Sequence, residues 1–153
     1  MSLKDWVLLL VPILCNGVTI FVLQRMFEKK QIIMTIKMEY ASVLRKKIDI
    51  ALEDHAIATQ LTNEGNHEND TKIIASIRKY INDSKDVYYY YIQNKDTFQH
   101  FERNMSELTN LLTKLAECGN QKNIDNEKFS VLFNMIRDVL MKMKKDCIKL
   151  ELA

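Results

Sequence analysis

The chain has 153 residues, a net charge of +2, 47% hydrophobic residues, three glycines and one proline. So small a charge argues against a dedicated nucleic-acid surface, and so few Gly and Pro argue against a turn-rich β fold. Cys15, Cys118 and Cys147 have neither CxxC spacing nor histidine partners at zinc spacing.

Trp6 to Leu23 reads WVLLLVPILCNGVTIFVL, with no charge and only Asn16 and Thr19 as plainly polar side chains. At the helical rise this stretch covers about 27 Å, enough for the hydrocarbon core of a bilayer. It is apolar on every face, unlike the amphipathic helix of a soluble domain. A cleaved secretory signal is the competing reading. It fits less well, because no small-x-small site follows and the run meets Gln24, Arg25 and Met26 directly. The expectation is a single transmembrane anchor over residues 6–24, after a short extracytoplasmic segment at 1–5. Arg25, Lys29, Lys30 and Lys37 follow the run while Lys4 stands nearly alone before it, and excess Lys and Arg marks the cytoplasmic side. The expected location is the cell membrane, single-pass, N-terminus outside and residues 25–153 in the cytoplasm. Pro12, Asn16 and Thr19 fall at i, i+4 and i+7, one face of the span. That face serves association with another span, or Asn16 bonds its own backbone.

Residues 25–37 read as a helical stalk that continues from the span into a bundle over 38–153. From Met26 to Val43 a heptad fits, with Met26, Ile33 and Tyr40 at one core position and Lys29, Ile36 and Val43 at the other. The pattern ends at Lys47, which is short for a coiled coil. The stripe at Met26, Ile33, Ile36, Tyr40 and Val43 predicts either self-association or cover by the last helix. The stripe of helix one runs on through Leu44, Ile48, Ala51, Leu52 and Ala58 at steps of three and four, and breaks at TNEGNHEND, residues 62–70.

The second helix is expected from Asp70 or Thr71, with Ile73, Ile74, Ile77, Ile81, Val87 and Tyr91 apolar. Val87 to Ile92 has strand propensity, but a lone strand has nothing to pair with, so helix is preferred. The third helix is expected near Asp96, with Gln99 three residues on as a capping box. Its stripe is Phe98, Phe101, Met105, Leu108, Leu111, Leu112 and Leu115, and Gly119 stands at its end. The fourth opens after Asp125 and repeats Phe129, Leu132, Phe133, Ile136, Leu140, Met143, Cys147 and Leu150. The fold class is therefore all-α: a single transmembrane helix followed by a cytoplasmic antiparallel four-helix bundle whose first helix continues from the span.

Tyr88, Tyr89, Tyr90 and Tyr91 sweep most of a helix circumference, so some phenolic surface is exposed or meets a partner. Lys142, Lys145 and Lys149 crowd the last turns of helix four, where the dipole favours cations. With Arg25, Lys29 and Lys30 they are candidates for contact with anionic lipid. No phosphate loop, nucleophile elbow or Cys–His pair is present. A di-iron bundle needs two helical Glu-x-x-His pairs, and the one match, Glu64 to His67, falls in a loop. His55 and His100 read as surface or core-edge residues. No catalytic, metal or cofactor site is expected. The expected function is a membrane-anchored protein–protein interaction module, with the bilayer, a second copy and a further protein as partners. The alternative is a membrane-active effector whose spans cluster and perturb the bilayer. Induced expression separates them, because only the effector collapses membrane potential.

Overall fold

Apolar residues three and four apart give four helices, α1 (Leu3–Asn63), α2 (Asp70–Gln93), α3 (Glu102–Gly119) and α4 (Asn126–Glu151). The computed structural model describes the backbone of residues 3–63, 70–119 and 126–152 and the side chains of residues 18–63, 71–118 and 126–152. No strand occurs among the described residues, and Val87 to Ile92 is helical. The expected cap at Asp125, the short polar loop expected over 120–124 and most of the 62–70 break lie outside them.

The chain divides into two compact units, Met1–Lys37 and Met38–Ala153. In the first unit the described side chains, residues 18–37, are all exposed. They include Val18, Ile20, Phe21, Met26 and Phe27, each at least 60% exposed. Among the described residues no helix is long and apolar enough to cross a membrane. Side chains 6–17, the greater part of the apolar run and with them Pro12 and Asn16, lie outside the described set.

The second unit is a bundle with one core. α1 contributes Ala41, Leu44, Ile48, Ala51 and Ala58. α2 contributes Tyr80, Val87 and Tyr91, and α3 contributes Met105, Leu108, Leu111, Leu112, Leu115 and Cys118. α4 supplies Leu132, Phe133, Ile136, Val139, Leu140, Met143 and Cys147. Burial pushes the Cys147 thiol up to about 12, with the Glu151 carboxylate adding to it, so it packs as a small hydrophobe.

Side-chain pairs set the directions. Arg45 on α1 meets Glu151 on α4 at 2.8 Å, and Asp49 meets Lys144 at 2.6 Å, so α4 runs antiparallel to α1. Lys47 stands 5.8 Å over the Tyr90 ring and Asp54 meets Lys79 at 2.6 Å, so α2 is also antiparallel to α1. α3 packs against α4 and α2, completing the bundle.

The start of α3 differs from the capping-box expectation. A turn over residues 94–97 and a 3-10 segment Gln99–Phe101 precede it, and α3 proper begins at Glu102. Phe98, not Asp96, precedes the 3-10 segment, and no side chain caps it. The reason is packing. Phe98 and Phe101 are both fully buried, with rings 5.5 Å apart and nearly perpendicular. A 3-10 turn repeats every three residues, so it puts both rings on the core side.

Candidate functional site

Polar residues on the core faces of α1 and α2 carry the most unusual chemistry in the bundle. Asp54, His55 and Ser84 are each at least 95% buried. On α1, His55 continues the stripe Leu44, Ile48, Ala51, Ala58 at helical steps, so it faces inward rather than lying at the edge as the sequence reading supposed. Its ring stacks on Phe133 of α4 at 4.6 Å and meets the Tyr80 ring of α2 edge-on at 5.1 Å. Tyr80 donates its hydroxyl to the Phe133 carbonyl at 3.4 Å, and Ser84 donates to the Tyr80 carbonyl at 2.8 Å. Burial, helped by the Arg137 charge, lowers the His55 pKa from 6.5. Its Nε2 is buried without a hydrogen-bond partner. Burial among aromatic rings favours the neutral ring, against the opposing pull of the Asn134 side chain and the Asp138 charge.

One residue earlier on α1, Asp54 accepts a hydrogen bond from the Lys79 ammonium at 2.6 Å. The carboxyl of Asp83, one turn after Lys79 on α2, acts on Asp54, and each shifts the other's pKa. Apart from that interaction, Asp54 Oδ2 and Asp83 Oδ2 are buried and unpartnered. The Asp54 bond, burial and the Asp54 charge push Asp83 up to about 6. Burial works to raise Asp54, but the bonds from Asp83 and Lys79 outweigh it and hold Asp54 below the usual carboxylate value. Below about pH 6 this arrangement can hold one proton between two carboxyl groups. Beside His55, an open groove of about 950 Å³ runs between α1 and α4, lined among others by Leu52, Ala56, Thr59, Arg137 and Met141.

The residues singled out from sequence are scattered, not gathered at one place. Of the tyrosine run, Tyr91 is 98% buried, Tyr88 and Tyr90 pack half-buried against the core, and Tyr89 is exposed. Met26, Ile33, Ile36 and Val43 are exposed, whereas Tyr40 packs against the core. The described side chains of residues 18–39 are exposed. Lys149 is 3.0 Å from Asp146, one turn back on its own helix. Lys142 and Lys145 are exposed, as are Arg25, Lys29, Lys30 and Thr19.

Sequence reading missed Asp54, Tyr80, Asp83 and Ser84. Tyr80, Ser84, Val87 and Tyr91 step by four, three and four, and that spacing marks the inward line of α2. The isoleucines drew attention away from it: Ile77 and Ile81 only flank the core and Ile74 is 51% exposed.

These features define an all-α antiparallel four-helix bundle, preceded by an apolar helical segment, with an acid pair, buried Asp54 and half-buried Asp83, between its first two helices. Compared with known proteins, the chain matches no family model, no curated protein and no solved structure.

Proposed function

We propose that the chain is a membrane-anchored protein–protein interaction module without catalytic activity. Residues 6–24 are the single-pass anchor, with the N-terminus outside and the bundle in the cytoplasm. The observation that carries this reading is the uncharged run Trp6–Leu23, 18 residues long, which leads into a helix whose apolar side chains stay exposed. An exposed series of this kind is a surface for lipid or for another chain. The Arg25, Lys29, Lys30 and Lys37 excess supports the orientation. A reporter active only outside the cytosol, fused after Ala153, is expected to be silent, and robust activity there reverses the topology.

The bundle then presents its surfaces to a cytoplasmic partner, and the stalk pairs with a second copy in the same membrane, where confinement raises effective concentration. Ile33 and Ile36, at 53% and 42% exposure, lie on the seam. Single cysteines at Ile33 and Ile36 are expected to crosslink well above controls at Glu28 and Lys30, once Cys15, Cys118 and Cys147 are replaced. Equal crosslinking at all four positions means random collision and removes the dimer.

A further inference from the structure

We propose that the Asp54–Asp83 pair is a proton-operated latch, which holds α2 against α1 while one carboxyl is protonated and loosens that contact when both are ionised. Lys79 of α2 meets Asp54 of α1 at 2.6 Å, and Asp83 stands one turn after Lys79 on the same helix. An ionised carboxylate offers only acceptors, so two carboxyl groups hydrogen-bond each other only when one carries a proton. Here the two belong to different helices, and the second oxygen of each is buried with no alternative donor. Asp54 is 96% buried, so water does not screen a second negative charge well. Lys79 Nζ, 2.6 Å from Asp54 Oδ1, supplies one positive charge for two acids.

The surrounding charges are few. α1 adds Glu53, which acts on Lys79, and α2 adds Asp86, which acts on Asp83 and opposes its ionisation. From α4, Arg137 and Asp138 act on His55 and Tyr80 beside the pair. Among the described residues, no charged group of α3 acts on it.

The signs separate the contributions. Asp83 is raised, so its contribution to stability is full below 3.8 and is lost as pH rises through about 6. Asp54 is lowered, so its contribution is present above 3.8 and is lost only in stronger acid. His55 is also lowered and works against Asp83: its contribution is present above 6.5 and is lost as pH falls. Replacing Asp83 removes one slope and leaves the other. Asp83→Asn also keeps a donor facing Asp54, mimicking the protonated latch.

The test is a carboxyl-carbon NMR titration of the full chain in detergent micelles, with amide exchange of α2 corrected for intrinsic rates. The latch predicts one aspartate titrating near pH 6 in the wild type and absent in both Asp83→Asn and Asp54→Asn. It predicts α2 opening that grows as pH rises from 3.8 to about 6, approaching about tenfold per pH unit for one linked proton, and that levels off above that value. In Asp83→Asn the growth vanishes. The proposal is overturned if every wild-type aspartate titrates below about pH 5, or if α2 opening has the same pH dependence in wild type and Asp83→Asn. The wild-type titration requires no variant, so a misfolded substitution does not shield the proposal.

Discussion

Ile33 and Ile36 are 53% and 42% exposed, whereas Leu44 and Ile48, further along the same helix, are fully buried. Both pairs follow the helical period, and both look alike in the sequence. The difference lies in what packs against them. In the unit Met38–Ala153, three further helices close over the stripe; in the unit Met1–Lys37, the described side chains stay uncovered. Periodicity reports that a helix has an apolar face, and a partner decides whether that face becomes a core.

The largest effect comes from separating the two units. A fragment of residues 38–153 is expected to be soluble, strongly helical by circular dichroism and cooperative on melting. A broad, gradual loss of signal would show that the bundle depends on residues 1–37.

Within the bundle, Phe133→Ala is expected to lose about 3–5 kcal/mol in denaturant melts, and Leu44→Ala about 2–5. Phe133 supports both the His55 and the Tyr80 rings, so its removal opens a gap that the helices cannot fill. Ile33→Ala, the matched change in the exposed region, is expected to stay within about 0.5 kcal/mol for the monomer. A cost at Ile33 equal to that at Leu44 would erase the contrast.

Tyr91→Phe probes the core from the other side. The Tyr91 hydroxyl is buried with no hydrogen-bond partner, so removing it is expected to be neutral or to stabilise by up to about 1 kcal/mol. A clear destabilisation would show that the hydroxyl is satisfied.

The smallest effect is the pH dependence of Asp83→Asn. With the acid pair silenced, the slope that remains near pH 6 belongs to His55, whose buried ring resists protonation. Stability is expected to fall as pH drops through and below 6.5, and His55→Leu in the same background flattens that fall.

Much of the fold was legible and little of the site was. Phe98, Phe101, Met105, Leu108, Leu111, Leu112 and Leu115 were read as one stripe and all are buried. What failed there was the local capping rule at Asp96, because two phenylalanines need the core and a tight turn delivers both. In α2 the isoleucines outweighed Tyr80 and Ser84, since hydrophobicity ranks residues by composition and not by which line of the helix meets a neighbour. His55 reads as a surface or core-edge residue for the same reason. A polar residue on an apolar stripe signals burial only when another helix supplies its partner, and Lys79 and Asp83 arrive from α2.

The sequence by itself determined the number, order and approximate limits of the helices, because the period of three and four is a local property of the chain. It also carried the uncharged run Trp6–Leu23 and the basic residues after it, which are matters of composition. Only the tertiary structure decided which apolar faces became core and which stayed open. It also brought Asp54 to Asp83, and His55 between Tyr80 and Phe133. Those meetings join residues distant in the chain and depend on how antiparallel helices align.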